Sequence, residues 1–351
     1  MYDIILSFIT AFTLTYFAIP SIINIAAKKN LVDQPGGRRL HETPTPSLGG
    51  IGIFAGVIFS IVMWTPFNVF GDLQYILCAC IIIFLIGAKD DILPMAPWKK
   101  VVGEVFAAAI LVFKSNVKLT SLYGIFGVYD ISDYVAIPLS VFAILVIINA
   151  FNLIDGINGL SGSISTLIAL VLGAWFYLTG YVELAVVAFA LSGSVIAFLK
   201  YNITPAKIFM GDTGALLLGI ICAILTLKFI ELHQTVQPPY QVNAVPAVAI
   251  GILILPLFDT LRVFTIRILK GRSPLSADRT HIHHLMIDAG FSHMQATSIL
   301  VGINIVFIVV VFRLQHIGTL NLLILILAMA SMLTILLVVA RRRYQIRKMQ
   351  T

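Results

Sequence analysis

Charge is what this chain has least of: 11% of its 351 residues are Asp, Glu, Lys or Arg and 59% are hydrophobic, where a soluble domain carries about 25% charged residues. A soluble globular fold is therefore excluded. Cysteine is nearly as rare. Cys78, Cys80 and Cys222 all lie inside apolar stretches, which supports neither a disulfide framework nor a metal centre. No Gly-Lys-Ser/Thr run is present, so a P-loop is excluded. Nor is there an internal repeat, a low-complexity run or a linker, and a single domain over residues 1–351 is expected. The first residues, MYDIILSF, lack a positive n-region and a small-residue cleavage site before Lys28, the pattern of an uncleaved first span.

What is abundant is apolar residues in blocks. Eleven run over 4–27, 48–66, 75–88, 101–113, 134–150, 160–178, 181–199, 215–232, 244–265, 296–312 and 320–340, most of them long enough to cross a bilayer as a helix. The third and fourth fall short of the ~17 residues a span needs. The third can extend back past Asp72, and the fourth can start at Pro97 if Lys99 and Lys100 snorkel and Glu104 is tolerated inside. With the N-terminus outside, every one of the 23 Lys and Arg except Lys114, Lys118, Lys228 and Arg313 falls on the inner side. Positive loops stay cytoplasmic. The expectation is an all-α polytopic membrane protein of about eleven transmembrane helices, its C-terminus cytoplasmic and its inner loops near 28–47, 88–100, 149–162, 200–214 and 266–295. The net charge of +7 is then mostly topological and implies no nucleic-acid partner.

Carboxylates are few and sit together. Asp33, Glu42, Asp90, Asp91, Asp155, Asp212, Asp259, Asp278 and Asp288 map to inner loops or the helix ends facing them, with Glu104 close behind. A transporter places its coupling carboxylates near the midplane, whereas a layer at the inner edge suits a soluble substrate meeting a lipid head group. Asp90 and Asp91 repel one another unless a cation neutralises them; magnesium, bound by one or two carboxylates and phosphate oxygens, would do so, and a solvated helix end is the plainer alternative. Asn149, Asn152 and Asp155 share one helical stripe. Asp212 stands at the start of the eighth block, where it could cap the helix or lie beside a phosphate held by free backbone N–H groups. His281, His283 and His284 lie within four residues beside Arg279, downstream of Arg262 and Arg267. They lack the spacing of a zinc motif, and a cationic surface for a diphosphate fits the arginines better.

Five segments in order, RRLHETPTPSLGG, the Asp-Asp pair followed by Lys100, NAFNLIDGINGL, NITPAKIFMGDTG, and DTLR leading into SADRTHIHH, resemble the polyprenyl-phosphate N-acetylhexosamine-1-phosphate transferase family of the MraY/WecA/TagO type, over nearly the whole chain. The resemblance implies a helical bundle with a small outer β-hairpin after the fourth span, to which VKLTSLYGIFGVYDI at 117–131 is similar. It implies Asp212 as principal magnesium ligand, with Asp155 beside it and manganese as the alternative ion. Asp90, Asp91 and Lys100 would then be catalytic, beside the metal and the lipid phosphate. Asn152, Asp155, Asn202 and Phe209 match positions that hold the nucleotide, Phe209 by stacking on uracil, and His281, His283 and His284 match a catalytic histidine motif near the sugar diphosphate. Asn149, on the stripe of Asn152, is expected to bind substrate as well, with Arg262 and Arg267 balancing its charge. Asn158 stands where the family often has a second Asp, so no charged role is assigned to it.

The implied reaction carries GlcNAc-1-phosphate from a UDP-N-acetylhexosamine to undecaprenyl phosphate, releasing UMP at the cytoplasmic face of a bacterial inner membrane. The short HIHHLMIDAGFS resembles the UDP-GlcNAc branch. A phospho-MurNAc-pentapeptide transferase and a lipid or sugar transporter are the alternatives. Homodimerisation stays open.

Overall fold

The computed structural model describes residues 2–31, 44–271, 273 and 280–350. Asp33, Arg38, Arg39, His41, Glu42, Arg272, Asp278 and Arg279 lie outside the described residues. Among the described residues each apolar block forms a helix or a helix pair: α1 Tyr2–Lys28, α2 Gly49–Trp64, α3 Leu73–Ile92, α4 Pro97–Lys114, α5 Asp133–Ile154, α6 Leu160–Thr179, α7 Val182–Asn202, α8 Gly211–Leu232, α9 Val245–Ile252 with α10 Ile254–Leu269, α12 His293–Leu314 and α13 Thr319–Gln350. A further short helix, α11 Ile282–Asp288, follows the histidine-rich segment. The protein is mostly helical and multi-pass. Seven of these helices, or eight spans with α9 and α10 taken together, are long and apolar enough to cross a membrane. The other three blocks fall short for physical reasons: α2 has 16 residues, and α3 and α4 carry Lys89, Asp90, Asp91, Lys99, Lys100 and Glu104.

Local chemistry sets the ends of several elements. Pro97 opens α4 at a position where the missing N–H costs nothing, and Ser292 with Gln295 forms a reciprocal capping box at the start of α12. The hairpin pairs β1 Ser121–Ile125 with β2 Val128–Asp130, antiparallel, between α4 and α5.

The ninth block departs from the sequence reading. It is not one helix: α9 and α10 meet at 84° around Leu253. Pro256 has no N–H to offer the Ile252 carbonyl. In an apolar medium that carbonyl needs another donor, and the side chain of Asn304 on α12 supplies it at 3.1 Å while accepting from the Leu255 amide at 3.4 Å. Asn304 is fully buried.

Helix α8 is the centre of the bundle. Most of it is buried, and it packs against α2, α3, α5 and α6. Its first turn therefore lies where the ends of these helices converge.

Candidate active site

The start of α8 lacks a cap of its own: Met210 precedes it with no side-chain hydrogen bond. The expectation of Asp212 as the cap of this helix is corrected, because Asp91 at the end of α3 caps it from outside. Its carboxylate accepts from the Asp212 amide at 2.7 Å, the Thr213 amide at 3.0 Å and the Thr213 hydroxyl at 2.5 Å. A negative charge beside free N–H groups is favoured there. From the other side the Gly49 and Gly50 amides of α2 donate to the Phe209 and Met210 carbonyls at 3.0 and 2.9 Å. Gly211 takes a φ of +71°, and a Cβ on it would come within 2.1 Å of the Ser47 carbonyl. Only glycine fits that turn.

Asp212 is thereby held rigidly with its carboxylate directed at α4 and α5. It accepts from Asn152 Nδ2 at 3.0 Å on one oxygen and from the Lys100 ammonium on the other. Lys100 also donates to Asp90 at 2.8 Å, whose second oxygen accepts the Met95 amide at 2.5 Å. The three side chains form a chain of alternating charge. Asp90, Asp91, Asp155 and Asp212 all line one cavity of roughly 620 Å³, together with Asn152, Asn202, Phe209 and His284. Asp155, in the loop between α5 and α6, accepts from the Ser161 hydroxyl. Burial, reinforced by the charges of Asp212 and Asp91, pushes its carboxyl up to about 7.

This donor set suits a hard divalent cation such as magnesium. Its carboxylate donors are oxygens, and Asp90, Asp91, Asp155 and Asp212 share one wall. Among the described residues no three His, Cys, Asp or Glu side chains form a cage by themselves, so such an ion would draw its remaining ligands from phosphate and water, as magnesium usually does.

Other residues named from the sequence stand further off. Asn149 does not line the cavity; one turn deeper than Asn152, it donates to the buried Glu104 at 2.7 Å. Asn202 lines the cavity but spends its amide on the fold, accepting from Gly159 N at 2.7 Å and donating to the Ile208 carbonyl at 2.9 Å. Of the three clustered histidines only His284 reaches the wall. His281 turns to Asp259 at 2.9 Å. His283 lies between the two other rings, 5.7 Å from His281 and 4.3 Å from His284, and burial pushes it down to about 3, so it is neutral at physiological pH. Arg262 is committed to Asp259 at 2.7 Å and the Thr280 carbonyl at 2.5 Å. Arg267 is 3% exposed, with its guanidinium 5.9 Å from the Phe264 ring centre. Sequence reasoning passed over His293, which lines the cavity from the start of α12, and gave no role to Asp259. Nothing local marks His293, since only the turn from α11 into α12 brings it there.

Fold and site together define a multi-pass membrane protein with a carboxylate-lined cavity where helix ends meet. Comparison with known proteins narrows the class. The profile described as glycosyl transferase family 4 matches residues 73–230. An undecaprenyl-phosphate alpha-N-acetylglucosaminyl 1-phosphate transferase of Salmonella typhi is 32% identical over 295 residues, covering 82% of this chain and 77% of the relative. The protein of the same name from Escherichia coli K12 is 31% identical, covering 78% and 73%. A probable undecaprenyl-phosphate N-acetylglucosaminyl 1-phosphate transferase of Bacillus subtilis is 30% identical, covering 88% and 84%. The chain belongs to this family of undecaprenyl-phosphate N-acetylglucosaminyl 1-phosphate transferases, within glycosyl transferase family 4.

Proposed function

We propose that the cavity transfers N-acetylglucosamine 1-phosphate from UDP-GlcNAc to undecaprenyl phosphate. An oxygen of the lipid phosphate attacks the sugar-bearing β-phosphorus; the bond from that phosphorus to the α–β bridging oxygen breaks, and UMP leaves with the electron pair. The observation that carries this reading is the convergence of Asp90, Asp91, Asp155 and Asp212 on one cavity, supported by the names of relatives that cover most of the chain. The distribution of Lys and Arg supports eleven spans, a cytoplasmic cavity and an outer hairpin.

Phosphoryl transfer asks the protein mainly for in-line positioning and charge balance. Asp212 and Asp155 would hold magnesium, or manganese in its place, and the chemistry such an ion supplies when bound is neutralisation of the diphosphate. Asn152 fixes the rotamer of Asp212. Lys100, held between Asp90 and Asp212, would pair with a phosphate. The second pKa of a phosphate monoester is about 6, so the nucleophile is largely ionised at neutral pH. Asp90 then removes or orients any remaining proton. Asp91 has both oxygens bonded to the start of α8, which reserves it for holding Asp212 in place. Phe209 offers a half-buried ring to uracil, and His284 faces the sugar diphosphate.

The test is to give membranes containing the protein a panel of radiolabelled UDP-N-acetylhexosamines and UDP-MurNAc-pentapeptide, then to extract lipid and measure UMP. UDP-GlcNAc is expected to label the lipid with release of UMP. Labelling from the pentapeptide donor alone would move the protein to the other branch, and transport of label without UMP would overturn the reading.

A further inference from the structure

Asp259 lies in α10 and is 1% exposed, yet both of its oxygens are used. One accepts from Arg262 Nη2 at 2.7 Å and from the Ile282 amide at 3.0 Å; the other accepts from His281 Nδ1 at 2.9 Å. Arg262 in turn donates to the Thr280 carbonyl at 2.5 Å. Three successive residues, Thr280, His281 and Ile282, are thus tied to a single buried carboxylate, each through a different group. The Ile282 amide is one of the N–H groups that the start of α11 leaves without a partner in its own helix. His281 precedes that helix without capping it. Two residues beyond Ile282 comes His284, the one member of the cluster on the cavity wall.

We propose that Asp259 is a positioning residue that presents His284 to the cavity. It acts by clamping the segment 280–282, and through the His281 ring it fixes which imidazole nitrogen carries the proton, with Nδ1–H donated to the carboxylate. A buried carboxylate is suited to this task because His281, buried beside it, has no water to fall back on. Adjacent Arg262 is therefore part of the clamp, with its charge spent on Asp259 and the Thr280 carbonyl. The inference rests on the cavity being the transfer site proposed above.

The experiment is a double-mutant cycle on detergent-purified protein that elutes as one species. kcat and KM for UDP-GlcNAc are measured for the wild type, Asp259→Asn, His284→Ala and the pair. Misplacing a group that touches substrate by about 1 Å can cost about a hundredfold. Asp259→Asn is expected to lower kcat by about tenfold or more with KM changed much less, and to cost under about threefold once His284 is alanine. Losses that multiply, or a loss confined to KM, would overturn the assignment. A second readout is independent of turnover. His281 is 4% exposed and should resist modification by diethyl pyrocarbonate in the wild type, becoming reactive in Asp259→Asn; unchanged protection would also overturn it. If Asp259→Asn does not fold, His281→Gln serves instead, because it leaves the bonds from Asp259 to Arg262 and Ile282 in place, and the same masking by His284→Ala is expected. Absence of transfer by the wild type would count against the transfer site, whereas multiplying losses with an active wild type count against Asp259 alone.

Discussion

Replacing Asp91 with Asn separates a residue that holds the site from one that does the chemistry. Asp91 accepts two backbone amides and a hydroxyl at the start of α8. Hydrogen bonds to a charged group contribute about 1.5–3 kcal/mol each, and an N-cap about 0.5–2 kcal/mol. The three share one acceptor and do not add. Asn keeps one acceptor oxygen and turns an NH2 group toward donors, so a loss of about 2–3 kcal/mol is expected. In a chain of this size that lowers the thermal midpoint by on the order of 5 °C. Asp90 bonds the Met95 amide, the partly exposed Lys100 and the neighbouring Asp212 carboxyl group, and caps no helix. Its replacement by Asn should leave the midpoint within about 2 °C while lowering turnover by about a hundredfold to ten-thousandfold. Fluorescence-detected midpoints of the detergent-solubilised protein, with turnover measured on the same preparations, decide the matter. An Asp91→Asn protein with a wild-type midpoint and no activity would refute the holding role. So would an Asp90→Asn protein that is the less stable of the two.

Three further outcomes are expected. A Cβ on Gly156 would come within 2.1 Å of His283 Nε2, so Gly156→Ala should displace the histidine stack and cut turnover by about tenfold or more; a fully active variant would show that the stack is not in use. His293→Ala removes a cavity-lining side chain and should raise KM for the UDP-sugar by about threefold to tenfold, which initial-rate kinetics would detect. Asp155 has its pKa raised to about 7 by burial and by neighbouring Asp212 and Asp91. The fold therefore favours the protonated form: its contribution is full below the ordinary carboxylate pKa of about 4 and is lost as pH rises through about 7. Without divalent cations the midpoint should fall over that window, and Asp155→Asn should flatten the decline; an equal slope in both proteins would contradict the shift.

Much of this was legible in the sequence because bilayer and backbone leave few choices. Continuous apolar runs had to become helices, and carboxylates too costly to bury singly had to gather at their ends. Finer geometry was hidden for identifiable reasons. Asp90 and Asp91 are adjacent, yet neighbours on a helix face about 100° apart, so one meets Lys100 and the other meets α8. Asn149, Asn152 and Asp155 share a stripe, but depth along α5 separates them, and Asn149 meets Glu104 instead of the cavity. The bend at Leu253 left only Pro256 as a local sign, because the residue that makes it tolerable, Asn304, comes from α12. Likewise the sequence grouped His281, His283 and His284 as one surface for a diphosphate, whereas contacts from α10 and the loop after α5 give each a different neighbour.

The central claim meets its most direct test in purified protein given undecaprenyl phosphate and UDP-GlcNAc labelled in the β-phosphate. The wild type is expected to place the label in lipid and to release one UMP per label transferred, and Asp212→Asn, although still inserted in the membrane, to do neither. Label left in water as UDP while sugar reaches the lipid, or undiminished transfer by Asp212→Asn, would contradict the account.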